Sequence, residues 1–190
     1  MTDFIGVYDD ALSSDECKKI IQIFDNDLVK EKGSIGSGRI DYKKKLCTEH
    51  KGNFVTIKNE SELEATKVIL NCLSKCTTLY RKENPELDLL TSWMISKSYN
   101  IQKYKPGEGY YTLHCEQEND FMVIGRMLVW MIYLNTVTDA GGTYFSNYKK
   151  TTDAVEGRVV IWPAFWTHFH KGIPSPTQIK YIATGWYNFE

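Results

Sequence analysis

The second half of the chain contains side chains suited to binding a metal ion. The sequence holds four histidines, at positions 50, 114, 168 and 170. His114 and Glu116 form an H-x-E triplet, and in an extended strand two residues that flank a third point to the same face. Both side chains can therefore bind one metal ion. The triplet alone carries little weight, because most such triplets bind nothing.

A third ligand has to come from a distant part of the chain, and His168 and His170 both offer one. If this run is extended, the two histidines share a face, so strand alternation does not decide which of them is the third ligand. Two histidines and a carboxylate on one face of an octahedron leave three positions open for a bidentate cosubstrate and O2. This is the arrangement of non-haem Fe(II) oxygenases.

Lys180 begins the final strand-like run, KYIATGW. In a strand, Lys180, Ile182, Thr184 and Trp186 share one face. A lysine on the apolar inner face of a strand is costly to bury unless an anion meets it, and a dicarboxylate cosubstrate would supply that anion. If the strand faces the other way, Lys180 is solvated, and the residues alone leave both orientations open.

The first half of the chain predicts two helices. Ser13 and Glu16 form a capping box, and the helix that follows runs to about residue 26. A second helix is predicted from Ser61, its N-cap, to about Lys82. The apolar face of that helix repeats at spacings of three and four: Ile69, Leu73, Cys76 and Tyr80.

After residue 92 the sequence changes to strand-like runs separated by Gly, Pro, Asn and Asp. The runs are SWMISKSYNIQKY, MLVWMIYLN, GRVVIWP and IKYIATGWYNF. Helices followed by many strands predict an α+β fold, in which the helices brace one face of a β-sandwich or barrel. We expect one domain over residues 1–190, with a helical support region at about 1–92 and a catalytic β core at about 93–190.

Composition excludes several classes of function. The formal net charge is −1, so no basic field attracts nucleic acid. No apolar run reaches the ~18 residues that a membrane span requires, and the N-terminus has no signal-peptide pattern. Five cysteines, an odd number, match no zinc signature. We expect free thiols in a reducing, cytoplasmic compartment.

Five segments of the second half follow one another at consistent spacing: KYKPGEGYYTLHCE, RMLVWMIYLN, GGTYF, EGRVVIWPAFWTH and HKGIPSPTQIKYIATGW. In this order they resemble the catalytic half of prolyl-4-hydroxylase-like 2-oxoglutarate oxygenases, in particular the small members encoded by bacteriophages. The match covers about residues 97–188. The segment FIGVYDDALSSDECKKIIQIF also resembles the family's opening strand and helix, whereas residues 27–92 match only loosely.

The resemblance implies a double-stranded β-helix (jelly-roll) core and a set of site residues. The family's pattern is H-x-D, a distal histidine, and a Lys or Arg ten residues later. Lys180 follows His170 by ten residues, so the resemblance assigns His114, Glu116 and His170 to the metal, as catalytic residues. It assigns Lys180 to 2-oxoglutarate and leaves His168 beside the ligands or lining the cavity.

Further residues of the cosubstrate pocket also follow from the resemblance. Tyr104 stands where the family's tyrosine helps to bind 2-oxoglutarate, Thr184 offers a further hydroxyl, and Trp186 is expected to wall the cavity. Arg126 is expected to be structural or to face the substrate. Five aromatic residues are expected to line the cavity and exclude water: Tyr110, Tyr111, Trp130, Trp162 and Trp166.

The chain departs from the family pattern at three places. Glu116 replaces the usual aspartate and reaches one methylene further. Val129 stands where a threonine that can touch the cosubstrate is frequent. The interval from Tyr104 to His114 is one residue longer than usual, which predicts a bulge at Gly109.

The resemblance implies a dioxygenase that hydroxylates an unactivated carbon of a peptidyl prolyl or other amino-acid side chain. Its cofactors would be Fe(II), 2-oxoglutarate and O2, with ascorbate as a supporting reductant, and succinate and CO2 would be released. The partner would be a peptide, protein or amino acid, with neither nucleic acid nor membrane involved. A phage-encoded protein would act in the cytoplasm of the infected host. The glycine-rich residues 31–39 are either a surface loop or a lid over the substrate.

Three other readings stay open. A cupin-type metal protein would share the three metal ligands but would not need Lys180. A catalytically inactive jelly-roll binding module would hold a peptide without turnover. A zinc hydrolase could use the same ligand types, although the spacing supplies no separate general base.

Overall fold

The first helix begins at the predicted capping box. The computed structural model describes residues 2–36, 38–118 and 120–190, and in it α1 spans Ser14–Asn26. The Ser13 hydroxyl accepts a hydrogen bond from the Glu16 amide, and the Glu16 carboxylate accepts one from the Ser13 amide. Cys17, Ile20 and Phe24 are buried. Both the cap and the length of this helix are confirmed.

The second helix, α2, spans Glu60–Glu83 and begins slightly earlier than predicted. Its N-cap is Asn59, whose side chain accepts a hydrogen bond from the Glu62 amide at 2.8 Å, so the prediction of Ser61 as N-cap is wrong. Asparagine caps a helix as well as serine does. The predicted apolar face is confirmed, because all four of its residues are buried: Ile69, Leu73, Cys76 and Tyr80.

The described residues also form ten strands, together with two short 3-10 helices at Pro85–Leu89 and Trp166–His168. The strands, in chain order, are β1 (Gly6–Tyr8), β2 (Glu31–Lys32), β3 (Thr48–Asn53), β4 (Trp93–Tyr104), β5 (Arg126–Tyr133), β6 (Thr143–Phe145), β7 (Lys150–Thr152), β8 (Val159–Pro163), β9 (His170–Gly172) and β10 (Lys180–Phe189).

The strands form a large and a small antiparallel sheet. The large sheet has the order β1-β8-β5-β10-β4-β3-β2, and the small sheet has the order β7-β6-β9. Within the described ranges the sheets do not close into a barrel. The architecture is the predicted double-stranded β-helix with helices at its N-terminal side. Strand β10 lies between β4 and β5, so the last strand of the chain stands near the centre of the large sheet.

Alternate residues of the central strands serve two separate apolar clusters. Leu128, Trp130 and Ile132 of β5 pack with the buried faces of α1 and α2. Val129 and Met131 belong to a second cluster, which also contains Phe145 of the small sheet. The helices therefore cover one face of the large sheet, and the other face is left to the small sheet and to the cavity between them.

Each of the five cysteines is free. Among the helices of the described ranges, none combines the length and the apolar character that crossing a bilayer requires.

Candidate active site

The side chains of His114, Glu116 and His170 converge between the two sheets. Oε1 of Glu116 lies 3.4 Å from Nε2 of His114 and 3.6 Å from Nε2 of His170. One ligand atom from each residue can be chosen so that all lie within 4.8 Å of one another, close enough to hold one metal ion.

The backbones of the two histidines are paired directly. The His114 amide donates to the His170 carbonyl at 3.0 Å, and the His170 amide donates to the His114 carbonyl at 2.9 Å. This isolated antiparallel bridge joins the H-x-E segment to the start of β9. Chain topology thus brings together two residues that are far apart in sequence.

Backbone carbonyls orient both imidazole rings. Nδ1 of His114 lies 2.9 Å from the Thr112 carbonyl, and Nδ1 of His170 lies 2.9 Å from the His168 carbonyl. Because a carbonyl can only accept, each Nδ1 carries the proton and each Nε2 keeps a lone pair directed at the site. Burial and the neighbouring His114 lower the pKa of His170, which favours the neutral ring that binds a metal.

The carboxylate of Glu116 is divided between two tasks. Its Oε2 accepts hydrogen bonds from Nη1 of Arg126 and from Nε1 of Trp186, each at 3.0 Å. Its Oε1 faces the histidines. Burial raises the pKa of Glu116, but the facing side chains of His114, His170 and Arg126 outweigh burial and hold the pKa well below its usual range. Glu116 is therefore ionised at neutral pH.

This donor set fits iron. Two imidazole nitrogens and one carboxylate oxygen, grouped on one side, are the ligands of non-haem Fe(II) sites. The longer side chain of Glu116 is accommodated because Arg126 and Trp186 hold its outer oxygen. The guanidinium of Arg126 stacks on the Trp186 ring at 3.6 Å, so the two donors also support each other.

Lys180 lies in the same cavity and is buried, with 4% of its surface exposed. Its ammonium donates to the Gly141 carbonyl at 2.8 Å, and no carboxylate of the described residues forms a salt bridge with it. Burial lowers its pKa to about 8. A buried cation with spare donors is suited to an incoming carboxylate. Gly141 has a φ of +79°, a left-handed conformation that glycine adopts without steric cost.

Tyr104 and Thr184 stand on the strands beside Lys180. Tyr104 pairs with Lys180 across β4 and β10, and its ring centre lies 5.0 Å from the ammonium. The Tyr104 hydroxyl donates to Oε1 of Gln102 at 2.7 Å, and the Thr184 hydroxyl donates to the Trp130 carbonyl at 2.9 Å. Both hydroxyl protons are thus used within the protein.

The cavity has a volume of ≈ 360 Å³. All seven predicted site residues line it: His114, Glu116, His170, Lys180, Tyr104, Thr184 and Trp186. Their assignment to metal and cosubstrate is taken up below as a proposal. Trp186 was expected only to line the cavity, but its indole N–H also donates a hydrogen bond to Glu116.

His168 serves the site through its backbone. It ends the 3-10 helix Trp166–His168. Because residues 166–168 are not an extended strand, His168 and His170 do not share a strand face. Its ring packs near Tyr148, and its Nε2 lies 2.8 Å from the Asp3 carbonyl. The prediction that its side chain lines the cavity is wrong, whereas its carbonyl orients His170.

Two of the five aromatic residues expected in the cavity are there. Tyr110 stacks on His114 with ring centres 3.6 Å apart, and Trp162 meets His170 edge to face at 5.0 Å. Trp130 packs toward the helices instead, because it occupies the alternate face of β5. Tyr111 and Trp166 are also absent from the cavity wall, and Trp166 is exposed.

The predicted bulge at Gly109 is not a strand bulge. Residues 105–109 form a turn after β4, and the left-handed position in that turn is Gly107, with a φ of +81°. The extra residue is absorbed by this turn, where glycine adopts positive φ without steric cost.

Part of the cavity wall comes from the glycine-rich residues 31–39, for which the sequence left a surface loop and a lid both open. Ser34, Ile35, Gly36 and Gly38 line the cavity, and residues 34–36 and 38 are called the strap below. Ser37, which belongs to the same predicted loop, lies outside the described residues. Lys45 and Gln102 line the cavity as well. No pattern in the sequence distinguishes these residues from a polar loop and strand surface.

Residues 99–188 match the family model of the 2OG-Fe(II) oxygenase superfamily. Over these residues the chain is similar to this superfamily, and the match supports a 2-oxoglutarate-dependent dioxygenase. The matched segment contains all three convergent donors and Lys180, whereas the strap and Lys45 lie before it.

Solved structures with the same fold cover nearly the whole chain. Viral collagen prolyl hydroxylase from Paramecium Bursaria Chlorella virus-1 is 19% identical, with 98% of this chain and 97% of that chain covered and a TM-score of 0.69. A prolyl hydroxylase from Trichoplax adhaerens, bound to a hypoxia inducible factor peptide, is 17% identical, with 98% and 84% covered and a TM-score of 0.75.

A prolyl-4-hydroxylase from Pseudomonas putida is 14% identical, with 97% of this chain and 92% of that chain covered and a TM-score of 0.68. At these identities the likeness shows the fold. The search of the curated proteins found no match.

Proposed function

We propose that this oxygenase hydroxylates an unactivated carbon of a peptidyl prolyl or other amino-acid side chain. One oxygen atom of O2 would enter the substrate, and the other would enter succinate as 2-oxoglutarate loses CO2. The observation that supports this proposal is the common cavity of three convergent donors and a buried lysine without a carboxylate partner. The location in the cytoplasm, the single-domain organisation of residues 1–190 and the supporting role of ascorbate stay predictions.

In this proposal His114, Glu116 and His170 hold Fe(II), and Lys180 binds the far carboxylate of 2-oxoglutarate. Bound iron and 2-oxoglutarate supply the redox chemistry that activates O2. The protein contributes ligands that are oriented in advance. The carbonyls of Thr112 and His168 fix the two Nε2 lone pairs.

Water exclusion is the second contribution of the chain. Tyr110 covers one face of His114, and Trp162 and Phe145 pack around His170. The strap closes a further side of the cavity. A dry site strengthens the attraction between Lys180 and a carboxylate and limits oxidation in the absence of substrate.

Peptide side chains are the proposed substrates because structures with the same fold are those of prolyl hydroxylases. The viral relative is described as a collagen prolyl hydroxylase, and the Trichoplax relative holds a peptide. A cupin-type metal protein would use the same three donors but would have no need of a buried lysine. An inactive binding module would bind a peptide without consuming 2-oxoglutarate.

The test is an anaerobic titration of the metal-free protein with Fe(II) and 2-oxoglutarate, followed by the visible charge-transfer band of the chelate. We expect a band in the parent protein and its loss in Lys180→Ala at the same cosubstrate concentration. Iron binding without a band would favour the cupin reading.

Prolyl peptides with O2 should then yield succinate and a product heavier by one oxygen atom, and His170→Ala should yield neither. A band without succinate formation on any peptide would favour the binding module.

A further inference from the structure

Glu49 is a buried carboxylate next to the cavity, and hydrogen-bond donors surround it. Its Oε1 accepts from the amide and the hydroxyl of Ser34, each at 3.0 Å. Its Oε2 accepts from Nζ of Lys45 at 2.7 Å and from Nε2 of Gln102 at 3.1 Å. Glu49 therefore joins the strap, Lys45 and strand β4 in one network.

The contact with Glu49 fixes the orientation of the Gln102 amide. Glu49 accepts hydrogen bonds from the Ser34 amide and the Lys45 ammonium, so the NH2 group of Gln102 faces it and the Gln102 carbonyl oxygen faces away. The carbonyl oxygen lies 2.7 Å from the Tyr104 hydroxyl. Since an amide oxygen only accepts, Tyr104 has to be the donor in this contact.

Tyr104 has a single proton to donate, and it keeps that proton at neutral pH. Burial raises the pKa of Tyr104 well above its usual range, and the nearby Cys47 and Glu49 raise it further. A phenol has one O–H. Once the proton points to Gln102, the hydroxyl can offer only its lone pairs to a group in the cavity, and lone pairs do not bind a carboxylate.

We propose that Glu49 and Gln102 are positioning residues that commit the Tyr104 proton to the protein, so that Tyr104 shapes the cosubstrate pocket without donating to the cosubstrate carboxylate. The proposal rests on the proposed function, because it concerns the pocket for 2-oxoglutarate. Lys180 is then the donor on which the far carboxylate depends, with two ammonium protons left after its bond to Gly141. The sequence-based expectation that Tyr104 helps to bind 2-oxoglutarate is thereby narrowed to a steric role.

The experiment is a double-mutant cycle read by direct binding. The dissociation constant of 2-oxoglutarate is measured anaerobically from the charge-transfer band in the Fe(II)-loaded parent, Tyr104→Phe, Gln102→Leu and the double variant. Tyr104→Phe should weaken binding less than fivefold in the parent, because the lost proton never reached the cosubstrate. In the Gln102→Leu background the proton is free, so the same change should weaken binding by about tenfold or more.

A loss of fivefold or more for Tyr104→Phe in the parent would overturn the inference, since Tyr104 would then be a donor to the cosubstrate. Equal effects of Tyr104→Phe in both backgrounds would overturn the role of Gln102. If Gln102→Leu does not fold, the single Tyr104→Phe comparison still decides. A parent protein that binds Fe(II) but gives no band overturns the proposed function, and the inference with it. Where the parent gives a band, Lys180→Met should abolish it whether or not Tyr104 donates to the cosubstrate.

Discussion

The indole nitrogen of Trp186 lies 3.0 Å from Oε2 of Glu116. These residues belong to β10 and to the loop before β5, and the contact links the last strand to the proposed metal ligand. Arg126 donates to the same oxygen. Two donors on one oxygen leave the other oxygen free to face His114 and His170. This arrangement explains how a glutamate can stand where the family carries an aspartate.

Trp186→Phe should weaken Fe(II) binding by about 10- to 100-fold, which is typical of lost partners of metal ligands. The substitution keeps an aromatic ring under Arg126 and removes the N–H. Trp130→Phe is the matched control, because Nε1 of Trp130 has no hydrogen-bond partner among the described residues and its ring faces the helices. Anaerobic Fe(II) titration measures both. Equal affinities in the two variants would show that the indole N–H does not support the metal.

Substitution of His170 and substitution of His168 should cause two different defects. His170→Ala removes an Nε2 that faces Glu116 and should abolish metal binding with little loss of the fold. His168→Ala removes the contact between its ring and the Asp3 carbonyl and should lower the free energy of unfolding by about 1–3 kcal/mol. It should bind iron, since the carbonyl that orients His170 remains. Urea unfolding and Fe(II) titration give the two readouts, and loss of iron only in His168→Ala would reverse the assignment.

Cosubstrate binding should weaken at alkaline pH. Burial lowers the pKa of Lys180 to about 8 in the protein without cosubstrate, compared with about 10.4 for a free lysine. Below pH 8 the ammonium is charged and can pair with a carboxylate. Above it the neutral amine must first bind a proton, so the dissociation constant should rise by up to about tenfold per pH unit.

Lys180→Arg is the control for this pH dependence, because a guanidinium stays protonated throughout the range. The rise should disappear in that variant, whatever its affinity at pH 7. A dissociation constant of the parent that stays flat from pH 7 to 10 would contradict the assignment of Lys180.

The sequence predicted those parts of the structure that depend on short-range patterns. The Ser13–Glu16 box and the alternation of Lys180, Thr184 and Trp186 are local signals, and the structure has both. Asn59 was missed because two good capping residues lie close together, and the choice between them depends on tertiary packing. Trp130 was misplaced because both faces of β5 are buried, so no polar alternation marks the side that faces the cavity.

The sequence left residues 31–39 open as a surface loop or a lid, and the network that holds the strap could not be predicted, for a different reason. Ser34, Lys45 and Glu49 lie in a segment with no clear period, and their meeting with Gln102 depends on β3 pairing with β4. A lysine and a glutamate four residues apart are ordinary on a surface. Only the fold reveals that this pair is buried.

The buried pair of Lys45 and Glu49 gives the last prediction. Lys45→Met should lower the free energy of unfolding by about 3–5 kcal/mol, because it leaves a buried carboxylate without its counter-ion. The double variant Lys45→Met/Glu49→Leu should recover part of that loss, since no unpaired charge remains. Lys19→Met is the control: the Lys19–Glu64 pair is 3.2 Å apart but half exposed, and its loss should change stability by less than about 1 kcal/mol.

Urea denaturation of the four proteins measures these differences. A double variant as unstable as Lys45→Met would mean that the anchoring of Ser34 by Glu49, rather than the unpaired charge, dominates. In that case Ser34→Ala, which removes one of the two Ser34 donors to Glu49, should also be destabilising.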